Sequence, residues 1–153
     1  MAAFDKEPGM KSEINNLNGA HKYIRILLAD DSAAFRGAVS KLLEQLPQVE
    51  MVGVAADGYE ALDLVASQRP DVVLMDLKMP RLNGLLATRK LRAEFPGVRV
   101  IIITLHDSAE SKAASVAAGA ARFIPKHRLR HELPAALTQL FPGHDGGAEE
   151  KQP

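Results

Sequence analysis

Five short apolar runs mark the middle of the chain, and each is followed by a stretch whose apolar residues recur at helical spacing. YIRILLA (23–29) leads into a helix over 33–46, with Phe35, Val39, Leu42, Leu43 and Leu46 on one stripe. MVGVA (51–55) precedes a helix over 59–68, and VVLM (72–75) precedes one over about 84–95 for which Asn83 is placed as cap. VRVIIIT (98–104) precedes an Ala-rich helix near 108–118, and RFI (122–124) precedes a last helix near 130–141. VVLM shows no alternation of apolar and polar positions, the pattern of a strand covered on both faces. Strand then helix, repeated this way, predicts an α/β fold: each crossover needs a helix to return the chain to the same end of a parallel sheet.

The flanks are written differently. Residues 1–22 and 142–153 are polar, punctuated by Gly and Pro and without period, which predicts flexible tails around a single domain over 23–141. Lys plus Arg equals Asp plus Glu at 19 each, so no overall field draws the chain to nucleic acid or anionic lipid. Cysteine is absent, which excludes disulfides and thiolate metal sites. No run has signal-peptide character or reaches the roughly 18 residues needed to span a bilayer. The expectation is a soluble, cytoplasmic protein that touches neither membrane nor nucleic acid directly.

The chemistry gathers where the strands end. Asp30 and Asp31 follow the first run, Asp76 the third, Thr104 closes the fourth, and Lys126 lies just past the fifth. Open parallel sheets bind their ligands beyond the carboxyl ends of the strands. Three carboxylates converging there repel one another unless a cation neutralises them, and few protein ligands with room for water and phosphate suit Mg²⁺ better than Ca²⁺. A metal beside a carboxylate, facing an ammonium and a hydroxyl, is also equipment for phosphoryl transfer, with Asp76 as candidate nucleophile and Lys126 and Thr104 holding the incoming oxygens.

Taken singly, each residue has a plainer explanation. An Asp-Asp pair is most often a solvated turn or a helix cap, Thr suits strands by shape, and Phe123 alone reads as core. Pro80 and Gly84 need only turn chemistry, Pro presetting φ and Gly permitting it to be positive. The histidines form no ligand set. His127 and His131 are interleaved with Arg128 and Arg130, so KHRLRH (126–131) reads as a basic solvated helix end.

The motifs LLADDSAAFR, VVLMDLKMPRLNG, IIITLHD and AGAARFIPK, in this order and spacing, resemble the receiver domain of bacterial two-component response regulators, and are most similar to the NarL/FixJ type. The resemblance covers about 24–140. It implies a doubly wound, flavodoxin-like (βα)₅ fold with strand order 2-1-3-4-5. It also implies Asp76 as phosphoacceptor, supplied by a sensor histidine kinase or a histidine phosphotransfer protein. Asp31, Asp76 and the backbone carbonyl of Lys78 would ligate Mg²⁺, with Asp30 acting through water. Lys126 would pair with the phosphoryl group, Thr104 would move to meet it, and Phe123 would turn inward as the switch aromatic. An unidentified output partner, or a second copy meeting the face of helix 4, strand 5 and helix 5, would read the change.

The chain also departs from the family pattern. Many receivers follow the strand-five lysine with proline, whereas here Pro125 precedes Lys126, so a cis Lys-Pro step is unavailable. Leu105 stands after Thr104 where a small residue is common, and with Lys78 and His106 it is expected to tune access and slow the loss of phosphate. No helix-turn-helix sequence follows the last helix, so the expectation is either a receiver that acts alone by binding a partner or one whose effector is on another chain or was cut away. The small residues of SAESKAASVAA (108–118) suggest a helix held loosely enough to shift. Three functions compete on these residues: a phosphorylation switch that is not otherwise an enzyme, a pseudo-receiver that only binds, and a Mg²⁺-dependent phosphatase. Intact Asp30, Asp31, Asp76, Thr104 and Lys126 disfavour the second. Lys78, two residues after Asp76 where such a phosphatase needs an acid, disfavours the third.

Overall fold

The computed structural model describes residues 22–144. Five strands alternate with five helices: β1 Ile24–Ala29, α1 Ala33–Glu44, β2 Val49–Ala55, α2 Gly58–Gln68, β3 Val72–Asp76, α3 Gly84–Glu94, β4 Arg99–Thr104, α4 Ala109–Ala118, β5 Arg122–Pro125 and α5 Leu129–Leu140. All strand pairs are parallel and the order is β2-β1-β3-β4-β5, the flavodoxin-like arrangement expected of the sequence.

The absence of alternation in the strand sequences has its cause in two separate apolar layers. Ile26, Leu28, Leu74, Ile101 and Ile103 pack on one face of the sheet with Val39 and Leu43 of α1 and Leu133 and Leu137 of α5. Leu27, Val73, Met75, Val100 and Ile102 pack on the other with Ala61 and Val65 of α2 and Ala87 and Leu91 of α3. Successive side chains alternate faces, but both faces are covered, so the apolar runs carry no alternating polar positions. Each large side chain buried this way contributes about 1.5 to 3 kcal/mol, which holds the strand ends in fixed register.

Four helices begin on side-chain caps. Ser32, Asp57, Asn83 and Ser108 each accept a hydrogen bond from the backbone N–H three residues on, Asn83 as predicted. Boundaries shift by a residue or two from the sequence reading. α1 ends at Glu44, and Leu46 still packs against the core from the loop. β2 begins at Val49, two residues earlier than its apolar run suggests. β5 takes in Pro125, tolerable because this edge strand pairs only with β4. A 3₁₀ turn, Lys126–Arg128, then runs straight into α5. Another, Pro142–His144, carries structure into the segment read as a tail; the rest of both tails lies outside the described residues. No described helix is long and apolar enough to cross a membrane.

Candidate functional site

Strand register assembles the site. Asp76 is the last residue of β3 and pairs with Ile103, one residue before Thr104; Thr104 in turn pairs with Pro125, one residue before Lys126. Asp30 follows β1 directly, its N–H bonded to the carbonyl of Ala55 at 2.9 Å. Two neighbouring acids and a third far along the chain thus meet at the carboxyl edge, with carboxylate oxygens of Asp30, Asp31 and Asp76 all within 4.8 Å of one another. Asp30 is fully buried, Asp76 nearly so, and Asp31 is exposed at the rim.

Lys126 supplies the opposing charge. Its Nζ lies 2.6 Å from Asp30 Oδ2 and 3.5 Å from Asp76 Oδ2, with only 9% of the side chain exposed. One ammonium between three carboxylates leaves a local excess of negative charge. Burial, and then the Asp30 charge, push the Asp76 carboxyl up to about 6, against the lowering effects of Lys126 and the Lys78 backbone N–H. An acid raised by crowding and desolvation is a group that a second cation would restore to full ionisation.

The donor set fits a hard divalent ion. Asp30 Oδ1 accepts from Ser32 N–H at 2.8 Å, while Oδ2 has its close charge contact with Lys126 but no hydrogen bond of good angle. A buried carboxylate oxygen left in that condition can accept from metal-bound water. These three acids form an acidic pocket of the kind that suits such an ion. A groove of about 700 Å³ opens beside Asp31, lined by Lys78, Pro80, Asn83, Glu110 and Ser111 among others.

Thr104 is fully buried, and its Oγ1 accepts from the His106 N–H at 2.9 Å, so its hydroxyl now serves its own loop. Phe123 is partly buried and packs with the second apolar layer. Leu105 is 75% exposed, and His106 and Lys78 are exposed as well.

Several features escaped the sequence reading. Gly84 does not have a positive φ, contrary to the turn explanation: a Cβ there would run into the carbonyl oxygen of Asp76 and sit 3.0 Å from Leu77 Cα. The glycine lets the start of α3 press against the backbone of Asp76, and Gly84 N–H bonds Leu77 O at 2.9 Å. The positive φ falls on Arg81 instead, at 66°. Its guanidinium pairs with Asp57 at 3.1 Å and lies over the Tyr59 ring, while Gly58 N–H bonds Leu82 O at 3.0 Å. These contacts latch the loop carrying Lys78 to the start of α2. Arg36 donates to the carbonyl of Asp30 at 2.7 Å, and the Phe35 ring lies beside Lys126. The only sequence signal for either was proximity to Ser32: residues in the first turn of a helix project back over its N-terminus.

A doubly wound sheet whose carboxyl edge gathers three acids and one buried lysine is the architecture of a receiver. The chain belongs to the response regulator receiver domain family, whose model matches residues 26–138. It is 39% identical over 118 residues to the response regulator MprA of Mycolicibacterium vanbaalenii, covering 77% of this chain and 50% of that protein. It is 37% identical over 120 residues to the transcriptional regulatory protein DegU of Brevibacillus brevis, covering 78% and 51%. The chain therefore spans about half the length of these curated relatives. Among solved structures it is similar to the signal receiver domain of response regulator NarL from Mycobacterium tuberculosis, with a TM-score of 0.75 at 32% identity over 80% of this chain and 98% of that one. The protein is a receiver domain of two-component signalling.

Proposed function

We propose that Asp76 accepts a phosphoryl group from a phosphohistidine on a sensor kinase or phosphotransfer protein, and that the acyl phosphate switches the chain toward an output partner. The observation that carries this reading is the placement of Asp76: its carboxylate ends a rigid buried strand, 3.5 Å from a buried ammonium and beside two further acids. A carboxylate oxygen attacks phosphorus as the bond to the donor imidazole breaks, and the imidazole leaves with a proton. Lys126 stabilises the charge spread over the transferred group's oxygens. Asp31, Asp76 and the Lys78 carbonyl would hold Mg²⁺, with Asp30 acting through water. The ion supplies neutralisation of charge on the phosphoryl oxygens.

Phosphorylation adds about −1.5 to −2 charges and three acceptor oxygens. Thr104 would exchange its bond with the His106 N–H for one with the phosphoryl group, and Phe123 would follow into the space released. Such a rearrangement biases α4 and the neighbouring face of β5 and α5, where we place output docking or homodimerisation. Catalysis beyond self-phosphorylation and dephosphorylation is not part of this function, which suits a cytoplasmic switch.

The test is intact mass after incubation with Mg²⁺ and acetyl phosphate, beside Asp76→Asn. One added phosphate on the wild type, absent from the variant and without Mg²⁺, supports the proposal. An unmodified wild type under all conditions would favour a binding module without phosphotransfer.

A further inference from the structure

The lysine at the proposed phosphoacceptor site meets an aromatic ring as well as the two acids. The Phe35 ring centroid lies 4.2 Å from Lys126 Nζ, close enough for a cation–π contact with a nearly dehydrated ammonium. The contact closes a cycle. Lys126 Nζ meets Asp30 Oδ2 at 2.6 Å; Asp30 Oδ1 accepts from Ser32 N–H at 2.8 Å; Ser32 Oγ accepts from Phe35 N–H at 3.1 Å; and the Phe35 ring returns to Lys126. Every member is fixed by another. The ring is itself anchored, packing partly buried against the apolar layer under α1 and α5.

This cycle answers the question raised by the order Pro125-Lys126. Lys126 leaves β5 after a proline and begins a 3₁₀ turn, so neither a following proline nor an extended strand fixes its direction. A lysine stem has four rotatable bonds and loses much rotamer freedom when held. We infer that Phe35 is a positioning residue for Lys126: its ring forms the wall against which the ammonium is held between Asp30 and Asp76. The inference rests on the phosphoacceptor reading only for its kinetic consequence. The ring acts through the lysine and does not touch the transferred group.

Two measurements on Phe35→Leu and Phe35→Tyr test this. Leu keeps most of the buried apolar volume and removes the π face, whereas Tyr keeps it. The first readout is the acylation rate of the Lys126 amine by an acetylating reagent, mapped by mass spectrometry with exposed Lys78 as internal reference. The second is the rate of phosphorylation by acetyl phosphate with Mg²⁺. Phe35→Leu is expected to label roughly three-fold faster at Lys126 and to phosphorylate roughly 3- to 10-fold slower, as loss of one cation–π contact implies, while Phe35→Tyr stays near the wild type in both. Unchanged labelling or an unchanged phosphorylation rate in Phe35→Leu overturns the inference, as does a Phe35→Tyr that behaves like Leu, since the effect is then one of packing. A wild type that takes up no phosphate instead sinks the phosphoacceptor reading, and the labelling comparison then decides the contact alone.

Discussion

Lys126 Nζ lies 2.6 Å from Asp30 Oδ2, closer than its 3.5 Å approach to Asp76, so the ammonium is committed first to Asp30 and only second to Asp76, the proposed acceptor. Asp76 is left underneutralised. That asymmetry leaves the Asp76 carboxylate the more available of the two while Asp30 anchors the lysine.

Removing the lysine therefore exposes the repulsion it suppresses. Lys126→Met is expected to destabilise the metal-free protein by about 3 kcal/mol, the scale for breaking a buried ion pair by deleting one partner. Mg²⁺ restores part of the loss by neutralising the same acids. Urea unfolding with and without Mg²⁺ measures both effects, and equal stabilities of variant and wild type would contradict the charge account.

The Asp76 carboxyl, pushed up to about 6 from 3.8, makes stability depend on pH. Across that window the folded chain binds more protons at this site than the unfolded chain, so stability falls as pH rises and stays lower above it. The loss is on the order of 2 to 3 kcal/mol in the absence of metal. Asp76→Asn is expected to abolish this component and to be the more stable protein at pH 7. Denaturation midpoints between pH 4 and 7.5 check it; a slope that survives in Asp76→Asn belongs to another group.

Gly84 and Gly37 make a matched pair. An Ala at 84 meets the Asp76 carbonyl, whereas a Cβ at 37 in α1 meets nothing within 4 Å. Gly84→Ala is expected to lose about 1 to 3 kcal/mol, as overpacking does, together with Mg²⁺ affinity. Gly37→Ala should gain about 0.5 to 1 kcal/mol from helix propensity alone. Thermal unfolding of both variants reads the difference, and two substitutions of the same sign would refute the close-approach explanation.

The latch between Arg81 and Asp57 is separable from helix capping. Asp57 Oδ1 caps α2 through Glu60 N–H at 3.0 Å, while Oδ2 holds Arg81. Asp57→Asn keeps a capping oxygen and removes the charge. Faster amide exchange over residues 77–83, with α2 unchanged, is the expected result. Unaltered exchange there would show that the ion pair, more than half exposed on the Arg81 side, does not steady the loop.

Much of this was readable along the chain. Uninterrupted apolar runs such as VVLM announced strands covered on both faces, because a two-sided core leaves no polar positions to alternate. Asp30, Asp31, Asp76, Thr104 and Lys126 were visible because each sits where such a run stops, and parallel strands stop at one edge. Their types and order pointed to the receiver family, which the family match bears out.

The tertiary structure decided what spacing does not encode. Phe35 read as one more member of an apolar stripe, since periodicity reports which face is buried and not what a side chain at the rim touches. Gly84 read as a turn residue because sequence shows glycine's freedom but not the backbone pressed against it. The unequal sharing of Lys126 likewise depends on a turn geometry that follows from the docking of α5 and the register of an edge strand. Local pattern specifies elements and their ends; distances among groups far apart in the chain exist only once the sheet has brought those ends together.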